Sequence, residues 1–254
     1  MIFNRREFVA LAGAAATVRG SSDRAPAAAG VKTKIKAVAF DGFPIIDPRP
    51  VYAKLEEMFP GKGSEFANSW RTRQFEYTWL RTLGGRYVDF WQVTEESLVF
   101  AAKARGIDLS SGQRDQIMQS WLALEAWPDV APALRQFKEA GIGMAFLSNL
   151  TEAMLDAAVK NSGLEGFFGP HLSTDKVKAF KPDPRAYQMG VDAFKLKKEE
   201  IAFAAFAGWD AAGAKWFGYP TFWVNRLNAP AEQLGATPDG IGSGLGDLVK
   251  FALA

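Results

Sequence analysis

Alternation is the feature that most restricts this chain. From residue 130 to residue 252, short apolar runs take turns with stretches of helical period. Residues 130–140 read as a helix, 141–148 as a strand and 152–162 as a helix, and a short strand lies near His171. A helix over 184–196 follows, then a strand over 201–206, a helix over 210–217, a strand over 221–225 and a last helix over 245–252. Strands spaced apart by helices predict a parallel, doubly wound α/β sheet. One more buried strand, 34–40 (Lys-Ile-Lys-Ala-Val-Ala-Phe), belongs to the same pattern but stands far upstream of it.

The intervening residues, 50–125, read as helical throughout. Ser64 is placed to cap a long helix running to Leu83, with Phe66, Trp70, Phe75, Tyr77 and Trp79 along it and Gly84-Gly85 to stop it. Residues 88–104 and 111–124 give two further amphipathic helices. An all-helical block after the first strand predicts an inserted cap. The expected division is therefore a core domain of 33–47 and 126–254, a cap of 48–125, and a leader of 1–32. The chain has 254 residues, 48% hydrophobic, which suffices for one domain carrying an insertion. Its 20 Phe and 8 Trp fit a well-filled core.

Two scarcities narrow the chemistry. The sequence has no cysteine and one histidine, His171. Thiolate sites, disulfides and Cys nucleophiles are excluded, and a multi-histidine metal site cannot be built. His171 lies in Gly169-Pro170-His171-Leu172-Ser173 with no nucleophile motif beside it, and reads as structural. No metal or cofactor is expected. Catalysis is left to carboxylates, amines, guanidinium groups and hydroxyls. The net charge is +2, and residues 1–29 carry all of it, with Arg5, Arg6, Arg19 and Arg24 against Glu7 and Asp23. No basic stripe points to nucleic acid, and no apolar run is long enough to span a bilayer.

Ligands of open α/β sheets bind beyond the carboxyl ends of the strands. The first strand ends in Asp41 and the second in Ser148-Asn149. Gly208-Trp209-Asp210 follows the strand over 201–206, and Phe180-Lys181-Pro182-Asp183 enters a helix between them. Taken alone, a strand-end aspartate is as often a turn or cap residue. Together, two aspartates, a lysine, a serine and an asparagine converge on one sheet edge.

In this order the residues resemble the four motifs of the haloacid dehalogenase superfamily, and within it the type II L-2-haloacid dehalogenases. The likeness covers nearly everything after residue 33. It rests on Phe40-Asp41; on Trp70-Arg71-Thr72-Arg73-Gln74-Phe75-Glu76-Tyr77-Thr78-Trp79-Leu80-Arg81; on Leu147-Ser148-Asn149; on Lys181-Pro182-Asp183 with Arg185 and Tyr187; and on Gly208-Trp209-Asp210-Ala211-Ala212-Gly213-Ala214-Lys215 with Phe217 to Thr221. The resemblance implies a Rossmann-like core and a small haloacid substrate. It assigns the nucleophile to Asp41, which forms an ester with the substrate. Lys181 would keep Asp41 ionised and Asp210 would position Lys181. Arg71 would take the developing halide charge with help from Asn149. Ser148 and backbone amides would hold the substrate carboxylate, Tyr187 would orient the site, and Phe75, Phe90 and Trp209 would wall it with apolar surface. A homodimer is implied by the family.

The sequence also departs from the family. Where a threonine supports the nucleophile, it has Ile45; where a serine and an asparagine precede the Trp-Asp pair, it has Ala205 and Ala207. These losses bear on support and on ester hydrolysis, and they motivate a rival, a carboxylate-binding homologue with weakened catalysis. A second rival is a phosphatase of the same superfamily, whose second aspartate serves as general acid; position 43 is Phe here.

At the N-terminus, Asn4-Arg5-Arg6-Glu7-Phe8-Val9 resembles a twin-arginine export signal. An apolar run from Phe8 to Val18 and a small-residue stretch from Ala25 to Ala29 follow, of the kind cut as Ala-x-Ala. The expectation is passage through the twin-arginine export machinery to the periplasm or beyond.

Overall fold

The computed structural model describes residues 34–254. Strand β1 (Ala37–Phe40) is followed by one short turn of helix, α1 (Gly42–Ile45), and then by four helices: α2 (Arg49–Met58), α3 (Gly63–Leu83), α4 (Phe90–Ala104) and α5 (Ser111–Ser120). The alternating part runs α6 (Val130–Glu139), β2 (Gly143–Ser148), α7 (Glu152–Asn161), β3 (Leu172–Ser173), α8 (Pro184–Phe194), β4 (Ile201–Ala205), α9 (Gly208–Phe217), β5 (Thr221–Val224), β6 (Gly240–Gly242) and α10 (Leu245–Leu253).

The strands form one sheet in the order β3-β2-β1-β4-β5-β6, and every pair is parallel. All residues of β1, β4 and β5 are buried, as expected when helices cover both faces. Alternate side chains feed two separate cores. Val38 and Phe40 point into one with Phe137, Leu155 and Leu248, while Ala37 and Ala39 point into the other with Tyr187, Phe203 and Tyr219. The first core runs on without a break into the helical block, through Phe66, Trp70, Phe90 and Trp121.

The chain leaves and re-enters the sheet layer through a narrow neck. Ile46 bridges Ala126, Asp47 N–H donates to Glu125 C=O at 2.9 Å, and Trp127 N–H donates to Ile45 C=O at 3.0 Å. Trp127 Nε1 also donates to the carbonyls of Phe43 and Ile46. Two antiparallel segments at one neck make the helical block an excursion from the sheet rather than part of it.

The long helix does not start as its sequence suggests. It begins at Gly63, and Ser64 lies inside the first turn. The cap comes from the preceding helix: the Glu56 carboxylate accepts from Gly61 N–H at 2.6 Å and Ser64 N–H at 2.9 Å. A carboxylate satisfies free N–H groups at a helix start better than a hydroxyl, and it also suits the dipole. Gly63 is needed there because a Cβ would sit 2.2 Å from the Cα of Glu56. The helix over 111–124 is shorter than its pattern: it ends at Ser120 and passes into a 3₁₀ turn, Trp121–Ala123. Strand β6, too short and glycine-rich to show a period, is an addition. The twin-arginine segment lies outside the described residues.

Candidate active site

The strand order reverses between β1 and β4, so a crevice opens at their carboxyl ends. Asp41 stands there as the first residue after β1. It is also the cap of α1, its Oδ2 accepting from Phe43 N–H at 3.4 Å. The turn reading and the functional reading of this residue are thus both realised in one side chain. Gly42 permits the geometry: a Cβ would lie 2.7 Å from Leu150 Cδ1 and 3.0 Å from Ser148 Oγ. That close approach sets the Ser148 hydroxyl against the backbone following Asp41. Ser148 Oγ accepts from Leu150 N–H at 3.2 Å, which leaves its O–H to donate.

Lys181 binds the two aspartates together. Its Nζ donates to Asp41 Oδ1 at 2.8 Å and to Asp210 Oδ2 at 2.6 Å. Lys181 and Asp210 are each 1% exposed. Burial pulls the lysine's pKa down, the two carboxylates push it up by more, and the ammonium stays charged. Burial pushes the Asp210 carboxyl up to about 6 against the pull of Lys181. Asp210 is held from its other side by Tyr187, whose hydroxyl donates to Oδ1 at 2.7 Å. Burial raises that phenol well above its ordinary value, so it serves as a donor. Gly213 makes room for it, since a Cβ there would be 2.5 Å from the Tyr187 oxygen. Lys215, in the same stretch, pairs instead with Asp239 at the surface.

The loop carrying Lys181 is fixed from three directions. Lys181 N–H donates to Asn149 Oδ1 at 3.0 Å, which leaves the Asn149 amide N–H groups for a ligand. Phe180 N–H donates to Thr82 Oγ1 of α3, and Tyr87 stacks on the Phe180 ring at 4.7 Å.

Over this edge lies a cavity of about 380 Å³. Asp41, Ser148 and Asn149 face it from the sheet side. Arg71, Phe75 and Trp79 of α3 and Phe90 of α4 face it from the helical block. Phe75 packs on Trp209 at 5.3 Å and Trp79 on Trp209 at 5.5 Å, so both layers contribute to one apolar wall. Phe90 is wholly buried and serves as core and wall at once. Among the described residues, Arg71 enters no salt bridge, and its guanidinium is available to an anion.

Of the residues read as site residues from sequence, Asp41, Lys181, Asp210 and Tyr187 are joined by hydrogen bonds, and Ser148, Asn149, Arg71, Phe75, Phe90 and Trp209 line the cavity with Asp41. His171 does neither. It sits at the start of β3, pairs with Asp156 at 3.2 Å, and has its pKa lowered by burial. Among the described residues, no three His, Cys, Asp or Glu side chains gather.

Other lining residues escape the sequence. Tyr52, Asn225 and Glu232 are among them. Asn225 directly follows β5, so the strand-end rule that finds Asp41 also points to it. The site's support differs from what Ile45, Ala205 and Ala207 replace. Ile45 is buried core. Arg226 braces α1 from outside: its Nη2 donates to Pro44 C=O at 2.8 Å and to Asp129 Oδ1 at 2.9 Å. Trp223 Nε1 donates to Phe206 C=O at 2.9 Å and fixes the backbone between the two alanines.

A buried Asp-Lys-Asp bridge thus stands at the strand-order reversal, and across an apolar cavity it is faced by Arg71, which enters no salt bridge among the described residues. A sequence profile for haloacid dehalogenase-like hydrolases matches residues 20–218, and the chain belongs to that family. It is 40% identical over 206 residues to the (S)-2-haloacid dehalogenase of Pseudomonas sp. (strain YL), a match spanning 81% of this chain and 89% of that one. Its fold superposes on a crystal structure of an L-2-haloacid dehalogenase with a TM-score of 0.85 at 39% identity, covering 87% of this chain and 100% of the other. An L-2-haloacid dehalogenase from Xanthobacter autotrophicus, solved with chloropropionic acid covalently bound, matches with a TM-score of 0.78 at 32% identity over 85% of this chain and 98% of its own.

Proposed function

We propose that this protein hydrolyses short (S)-2-haloalkanoates to (R)-2-hydroxyalkanoates and halide through an ester on Asp41. The observation that carries the reading is the Lys181 ammonium held at 2.8 Å from Asp41 and 2.6 Å from Asp210, beneath a cavity that Arg71 lines. Asp41 Oδ attacks the α-carbon from the face opposite the halogen, the carbon–halogen bond breaks and the configuration inverts. Arg71 and the Asn149 amide take the charge that grows on the halide. Ser148 O–H and the backbone following Asp41 hold the substrate carboxylate. Phe75, Phe90 and Trp209 keep water from the α-carbon, and Tyr187 with Asp210 fixes Lys181. Water then adds to the carboxyl carbon of the ester, the hydroxy acid leaves, a proton is released, and Asp41 is restored.

Residues 48–125 act as the cap and residues 33–47 with 126–254 as the core. Export by the twin-arginine route to the periplasm, and assembly as a homodimer, complete the proposal. Arg5-Arg6 in the leader supports the first, and the family resemblance the second.

The test uses L- and D-2-chloropropionate with halide as the readout. Release from the L enantiomer alone, abolished by Asp41→Asn, is expected; no release from any short haloacid overturns the reading. Ala207, at the start of α9 with no capping side chain, favours a second outcome. In it, halide is released once per protein and the ester persists.

A further inference from the structure

A second cavity adjoins the first. It measures about 320 Å³ and lies between α2 and α3. Tyr52, Ala53 and Glu56 line it from α2, and Ser64, Ala67, Asn68 and Arg71 from α3. These positions recur at three and four residues, so each helix turns one face to the groove. Side chains as small as Ala53, Ala67 and Ser64 leave the space between the two helices unfilled. Ala53, Ser64 and Asn68 are exposed, so the groove opens to solvent.

Two residues, Tyr52 and Arg71, line both cavities. We propose that the α2–α3 groove is the way out for the product halide, which passes from the active-site cavity along Arg71 and Tyr52 into solvent. The inference rests on the dehalogenase reading above.

A displaced halide is a small anion in an apolar, aromatic-walled site, where an unpaired charge is costly. It needs a route on which it never loses a cation or an N–H or O–H donor. Arginine offers five N–H donors fanned around one plane, so one guanidinium reaches into both cavities. Tyr52 has its pKa pushed up to about 12 by burial, with Arg71 pulling the other way; it stays a neutral donor. Beyond the partition, Asn68 and Ser64 supply further donors. The groove, about 320 Å³ and open to solvent, has room for several waters, so the ion can rehydrate there. The Glu56 carboxylate is engaged elsewhere, its oxygens accepting from Gly61 and Ser64 N–H, which weakens its repulsion of the ion. The active-site cavity also meets solvent next to Leu227 and Glu232, both exposed at its rim, and this opening is left to the substrate. Substrate and halide thus have separate doors.

Filling the groove tests this. In Ala53→Phe, and independently in Ala67→Leu, bromide association and dissociation, followed by stopped-flow tryptophan fluorescence, should each slow about fivefold or more with little change in bromide affinity. The single-turnover rate of ester formation from L-2-chloropropionate should match the wild type. Leu227→Trp, at the other opening, should leave both bromide rates as they are. Unchanged bromide rates in folded Ala53→Phe and Ala67→Leu, in an enzyme that does dehalogenate, would overturn the exit route alone. A wild-type protein that releases no halide from L-2-chloropropionate overturns the function and the route with it.

Discussion

The two walls of the active-site cavity are built on opposite terms. On the sheet side, the charged groups are paired: Asp41 with Lys181, Lys181 with Asp210, Asp210 with Tyr187, all by bonds of 2.6 to 2.8 Å. On the helical side, Arg71 is a cation with no salt-bridge partner among the described residues, set among aromatic rings. A closed network fixes geometry and protonation in advance of any ligand. An open cation gains its partner only when a ligand brings charge. The first arrangement suits a nucleophile, and the second suits a leaving group. The same contrast separates chemistry that should be indifferent to the halogen from chemistry that should depend on it.

Breaking the sheet side should have the largest effects. Asp41→Asn should lower kcat by on the order of 10⁴-fold or more for every halogen alike, as loss of a nucleophile does. Lys181→Met should be nearly as damaging. It should also cost about 3–5 kcal/mol of stability in denaturant unfolding, because two buried carboxylates lose their cation.

The helical side should respond selectively. Arg71→Ala should lower kcat by about 10²- to 10³-fold with 2-chloropropionate, and by less with the bromo compound, whose leaving group needs less help. Equal losses for both halogens would erase the proposed contrast.

The pH profile sharpens the sheet side. Burial raises Asp210 to about 6, so it is ionised above that pH and protonated below it. Protonation removes the anion that positions Lys181, and kcat should fall as pH drops through about 6. Tyr187→Phe takes away a bond that favours the ionised form. Its acid limb should therefore move to higher pH, with a loss of roughly tenfold at neutral pH. The smallest expected effect is a gain: Ala207→Asn should speed ester hydrolysis by a few-fold, read as decay of the Asp41 ester, without changing the rate of its formation.

The sheet side is far more legible in the sequence than the helical side. Asp41, Ser148, Asn149 and Asp210 follow buried strands, and the strand-end rule by itself puts them on one edge. Lys181 reaches that edge only as part of a loop entering a helix, and Tyr187 needs the motif, because nothing in its local pattern brings it to Asp41. On the helical side, helix period gives the elements but not their facing. Tyr52 and Ala53 look like ordinary positions of α2, and only the packing of α2 against α3 turns them toward a cavity. Glu56 as the cap of α3 is hidden for the same reason: sequence rules look for a cap within the helix that it starts. Bracing of the turn after Asp41 is expected from residues nearby, where Ile45 offers no hydrogen bond, whereas Arg226, 182 residues from Pro44, holds the Pro44 carbonyl.

The central claim is that the oxygen delivered to the α-carbon comes from Asp41. A single turnover of L-2-chloropropionate by excess enzyme in ¹⁸O-labelled water tests it. With Asp41 as the source, the first product molecules are unlabelled and the peptide containing Asp41 gains ¹⁸O. Heavy oxygen in the first product with none in that peptide would mean that water attacks the α-carbon directly, and Asp41 would not be the nucleophile.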